Sequence, residues 1–96
     1  MFDKDRYLTR GVSNEIPFEI QLLLWSMIGE VKVKKDYLQV FEIETINDNL
    51  LKIEHRQEVP KYKKDIVVRN VGINSKVKIF VIDDGEYSTM MLSEEY

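Results

Sequence analysis

The sequence predicts an α+β fold: one domain, residues 1–96, in which one long helix packs against a curved antiparallel sheet of four to five strands. Three observations predict it. Ninety-six residues leave room for a single hydrophobic core. One stretch, residues 17–32, carries apolar side chains at helical spacing around most of its circumference. Everything after it reads as β-branched and aromatic runs separated by turn residues, without an alternating β-α rhythm.

Taken in order, residues 6–10 form a short strand or extended arm that stops at Gly11. Ser13, Asn14 and Pro17 supply capping groups and a fixed φ for a helix running from Pro17 to Lys32. At 100° per residue, Glu19, Ser26 and Glu30 make one narrow polar stripe, and Phe18, Ile20, Leu22, Leu24, Trp25, Met27, Ile28 and Val31 cover the rest. A sheet wraps such a helix, or a second subunit covers it. Gln21 lies on the apolar side and needs a partner there.

Residues 37–44 are the next strand, and Asn47, Asp48 and Asn49 turn the chain. Residues 51–59 alternate most clearly, with Leu51, Ile53, His55, Gln57 and Val59 on one face and Lys52, Glu54, Arg56 and Glu58 on the other. Pro60 ends that strand, residues 62–68 give another, and residues 72–75 turn again. Residues 77–83 and 87–92 flank Asp84-Gly85, a dipeptide suited to a two-residue type I′ turn. That register sets Asp83 opposite Glu86, Ile82 opposite Tyr87 and Ile79 opposite Met90. A cystatin-like roll satisfies these elements; a flatter sheet with the helix on one face and a dimer mate over the remainder is the alternative.

Composition narrows the chemistry. Hydrophobic residues at 44%, with four Gly and two Pro, exclude collagen-like and disordered chains. Fourteen basic and seventeen acidic side chains give a net charge of -3, so no global field draws the chain to nucleic acid or anionic lipid. The absence of cysteine excludes disulfides, thiolate metal sites and a cysteine nucleophile. A charged start, Met1 to Arg6, does not suit a signal peptide, and no run of about 18 apolar residues exists. The expectation is an intracellular, soluble, unprocessed chain.

Few residues invite a chemical role. His55 is the only histidine and sits on the inward face of its strand, the place of a buried, hydrogen-bonded structural residue. No serine stands in a nucleophile-elbow context. Asp83, Asp84 and Glu86 crowd one turn, where aspartate is favoured for turn chemistry and no calcium-loop spacing is present. Lys61, Tyr62, Lys63 and Lys64, with the lysines of residues 32–35, form a local basic edge that the acidic balance sets against nucleic-acid binding. Residues 93–96 read as a fraying polar tail. No catalytic, cofactor-binding or metal-ligating residue is therefore expected, and no cofactor. Leu23, Trp25 and Met27 are the candidate interface, because the apolar excess of the helix exceeds what one short sheet covers.

Four segments carry a resemblance to a known family. They are Phe2-Asp3-Lys4 with Tyr7-Leu8-Thr9-Arg10-Gly11-Val12; Ile16-Pro17 with Gln21-Leu22-Leu23-Leu24-Trp25; Asp36-Tyr37-Leu38-Gln39-Val40-Phe41; and residues 82–92 with Glu94-Glu95-Tyr96. The chain resembles, over almost its full length, the short proteins of low-GC Gram-positive bacteria grouped as domain of unknown function 960. The resemblance implies a bacterial cytosolic protein and assigns no chemistry to any residue. The expected function is a small, non-enzymatic, possibly self-associating protein-interaction domain. One alternative is an enzyme or small-ligand binder using His55 and Asp83 at the mouth of the roll, and another is nucleic-acid binding through the basic edge.

Overall fold

Alternation of apolar and polar residues gives each long strand one face for the core. In the computed structural model, which describes residues 1–96, six strands join into one sheet. They are β1 (Asp5–Leu8), β2 (Leu38–Asn47), β3 (Leu50–Gln57), β4 (Tyr62–Arg69), β5 (Val77–Asp83) and β6 (Tyr87–Leu92), and two helices, α1 (Arg10–Glu15) and α2 (Phe18–Gly29), lie between β1 and β2. The spatial order is β1-β6-β5-β2-β3-β4, with β1 parallel to β6 and every other pair antiparallel. No helix is long and apolar enough to cross a membrane.

This corrects the expected architecture. The α+β class stands, but the four-to-five-stranded antiparallel sheet and its long helix give way to a six-stranded mixed sheet with a helix of 12 residues. The cystatin-like roll falls with them. The sixth strand is the N-terminal segment, which the sequence marks as a short strand or arm; its parallel pairing with β6, about eighty residues away, is what no local pattern signals. The helix ends at Gly29, the residue that costs most helix stability after proline, and the Glu30 amide closes onto the Met27 and Ser26 carbonyls. Residues 10–15, expected to hold the end of the arm at Gly11 and the Ser13 and Asn14 capping groups of the next helix, instead form α1, capped by the Thr9 hydroxyl accepting from the Val12 amide.

One core joins all of this. Ile20, Leu24, Trp25, Met27 and Ile28 of α2 meet Phe41, Ile43, Leu51, Ile53, Ile79, Val81, Met90 and Leu92 of the sheet, together with Phe2, Val12, Ile16 and Ile73. The apolar excess of α2 is thus met partly by α1 and the N-terminal residues, not by sheet alone. Gln21 finds its partner in the Ile16 carbonyl at 2.8 Å. Phe18 and Leu22 remain exposed on the helix, beside Glu19 and Ser26.

Candidate functional site

The inward alternation of β3 delivers His55 and Gln57 beneath the sheet, where both are buried. Gln57 makes every bond its amide allows. Its Nε2 donates to the Lys34 and Pro60 carbonyls, and its Oε1 accepts from the Asp36 amide and from Gln39 Nε2. Gln39 Nε2 also donates to the Asp36 carbonyl, so Gln39 Oε1 is left as an acceptor 2.6 Å from His55 Nε2. The neutral imidazole therefore carries its proton on Nε2. Its Nδ1 lone pair has no partner. The ring stacks on Phe41, centroids 4.3 Å apart, and meets the edge of Tyr62. Burial, with the nearby Lys64 charge adding to it, pushes the His55 pKa down to about 4. The network clamps the 30–37 loop to the β3–β4 turn, and its three side chains His55, Gln39 and Gln57 are all buried.

Asp83 is also buried, at the far end of β5, two strands and two inward rows from His55. It accepts from the Phe2 amide at 2.6 Å, the Gly85 amide at 2.7 Å and the Ser88 hydroxyl at 3.3 Å. Burial pushes its carboxyl up, but these donors outweigh that effect and hold it below the ordinary aspartate range. Phe2, at φ 66°, occupies the left-handed region that bulky residues avoid, and its side chain is buried in the core. Asp83 thus anchors the N-terminal residues. His55 and Asp83 are not brought together, and neither reaches a pocket.

The expected turn register is also corrected. Asp83 pairs with Ser88, Ile82 with Thr89 and Ile79 with Leu92. Asp84 does not enter the turn: its amide donates to the Tyr87 carbonyl, and its carboxylate accepts from the Glu86 and Tyr87 amides. Gly85, with φ +98°, takes the first central position and Glu86 the second. That is the glycine-first pattern of a type II′ turn, one residue later than the type I′ reading.

Of the proposed interface residues, Trp25 and Met27 point into the chain's own core and Leu23 packs half-buried against it. The guanidinium of Arg6 lies 4.8 Å from the Trp25 ring centroid. The basic segments do approach one another, since Gln57 bridges Lys34 and Pro60. Carboxylates interleave them: Lys64 lies 3.9 Å from Glu30 and Lys63 3.5 Å from Glu54. The C-terminal residues do not hang free. Ser93–Glu95 form a 3-10 turn that aims the Glu95 carboxylate at the Thr9 hydroxyl, the Leu92 amide and the Gly11 amide. A Cβ on Gly11 would stand 2.7 Å from that carboxylate, so a side chain there displaces it.

Sequence reasoning missed the outer face of the sheet. Both helices belong to the inner core, which leaves the other face open. Across it the register aligns Tyr7, Thr89, Ile82 and Leu38 in one row, and Met91, Phe80, Val40 and Arg56 in the next. Tyr87 lies beside Tyr7 in an edge contact of 5.0 Å, and Tyr96 meets the edge of Phe80. Tyr7 is 51% exposed and Tyr87 40%, while Ile82, Leu38, Phe80 and Met91 are half-buried. The other half of the face differs. There Arg56 bonds Glu42 and Glu54, and Lys76 and Lys63 flank them, an ionic lattice in which the Arg56 bond holds the Glu42 carboxyl below its ordinary value. Asp3, Asp5, Asp84 and Glu86, all exposed, lie towards the aromatic end, where Lys4 bonds the Gly85 carbonyl, and Lys78 stands over the Phe80 ring. The signal for this face was the alternation of residues 78–82 and 87–91, legible only once β1 is known to pair with β6.

A crystal structure of a protein of unknown function from Enterococcus faecalis matches this chain with a TM-score of 0.81 and 23% sequence identity, covering 98% of this chain and 92% of that one. That likeness shows a shared fold. No curated protein matches the sequence. Residues 5–95 match the family described as "Staphylococcal protein of unknown function (DUF960)", and with nearly the whole chain matched, the protein belongs to that family.

Proposed function

We propose that the protein is a small, non-enzymatic cytosolic binding domain that engages a protein partner through the outer face of β1, β6, β5 and β2. One observation carries the reading: an aromatic and aliphatic surface built from Tyr7, Tyr87, Ile82, Leu38, Phe80 and Met91 lies open on a sheet whose other face is filled. Contiguous apolar surface with aromatic anchors is the usual core of a protein interface. Asp3, Asp5, Asp84 and Glu86 fit a partner whose apolar contact is flanked by basic groups. The alternatives draw no comparable support. His55 and Asp83 are buried apart, and the lysines of the basic segments lie among carboxylates.

The test is capture from a lysate of the source bacterium, with the wild type compared against Ile82→Lys and Tyr87→Lys. Both positions point away from the core, so circular dichroism and melting should change little. A stoichiometric protein retained by the wild type and lost by both variants is the expected result. Capture that both variants leave intact overturns the reading.

A further inference from the structure

The edge strand β4 presents a second surface, independent of the open face. The Asn70 amide donates to the Asn49 carbonyl, and the β3–β4 register runs unbroken from there. Backbone groups of Tyr62, Lys64, Ile66 and Val68 therefore point towards β3, and those of Lys63, Asp65, Val67 and Arg69 point outward with no strand beyond them. Ile66 and Val68 pack only half-buried against the rim of the core, and Val67 is 56% exposed on the outer face. Asp65 and Arg69 are exposed, and neither has an ion-pair partner within the chain.

We infer that β4 is the docking edge for a second copy of this chain, paired antiparallel with its counterpart about Val67. A two-fold axis that keeps the helices of both copies on one side of a continuous sheet pairs residues of equal parity. Among such registers charge selects one. Centring on Lys64 or Asp65 sets like charges directly opposite each other, and centring on Ile66 sets Lys63 opposite Arg69. Centring on Val68 leaves a shorter overlap with no charge pair. Centring on Val67 sets Asp65 of each copy opposite Arg69 of the other, Ile66 opposite Val68 on the core side, and Val67 opposite itself. Lys64 and Lys63 then fall opposite Asn70 and Val71, so the lysines that block other pairings do not oppose this one. The outward backbone groups of Asp65, Val67 and Arg69 are those this register needs.

Sedimentation equilibrium over a wide concentration range tests it, using the wild type, Asp65→Arg, Arg69→Asp and the doubly exchanged variant, with circular dichroism as the check on folding. Each single reversal places two like-charge pairs in the interface and should weaken the dimer about ten-fold, and the double exchange should restore it. A wild type that stays monomeric, single reversals without effect, or a double exchange that fails to restore the dimer overturns the inference. Because Tyr87→Lys lies on a different surface, it should leave the dimer constant unchanged; a dimer lost with that variant belongs to the open face and overturns the role of β4. Failure of the β4 dimer leaves lysate capture through the open face untouched.

Discussion

His55 shows how far a single residue can be read. Alternation along residues 51–59 places it inward, and it is buried there. Its partner Gln39 was not legible, because Gln39, Val40 and Phe41 are buried in succession and hide the strand's period. The buried ring gives a signed prediction. The folded state holds the His55 pKa at about 4, below the ordinary 6.5. Between those values the unfolded chain binds a proton that the folded chain refuses, so stability is fully present above 6.5 and is lost as pH falls towards 4. The loss between pH 7 and pH 5 should be about 2 kcal/mol. His55→Gln, which keeps a donor for Gln39 but does not titrate, should be less stable at pH 7 for want of the stack on Phe41 and nearly flat over the same interval. Denaturant titrations at the two pH values check this; parallel losses in both proteins would mean that the imidazole does not set the slope.

At the scale of elements, local signals worked where one short segment decides and failed where a distant partner does. The β2–β3 turn and the alternation of β3 follow from their own residues. The hairpin between β5 and β6 was misread by its dipeptide rule: Asp84 keeps a negative φ because its carboxylate already receives the Glu86 and Tyr87 amides, and the turn moves on to Gly85-Glu86. Gly85 is therefore the residue the turn depends on. A β-branched side chain resists its φ of +98°, so Gly85→Val should destabilise the fold by about 1 to 3 kcal/mol, read as a lowered melting temperature. An unchanged melting temperature would contradict the turn described. Likewise β1 and α1 depend on contacts from the other end of the chain, Met90 and Glu95 among them, which no window of neighbouring residues reveals.

For the whole molecule, the order of helical and strand patterns indicates the α+β class that the structure has, yet the sequence pattern places the surplus of apolar residues on the helix, where Trp25 and Met27 are in fact buried in the chain's own core. From sequence the helix looks underserved because the cover that Phe2, Val12 of α1 and Ile16 supply is not visible there. The unserved apolar surface lies on the opposite face of the sheet, in side chains that β-strand alternation makes half-apolar on both faces. The most direct test of that account is a side-chain NMR titration of the protein with the partner captured from lysate. Signals of Leu38, Ile82, Met91, Tyr7 and Tyr87 should shift together, while those of Leu24, Ile53 and Phe41 stay fixed. Shifts confined to Phe18 and Leu22 on α2, with the outer face silent, would contradict it.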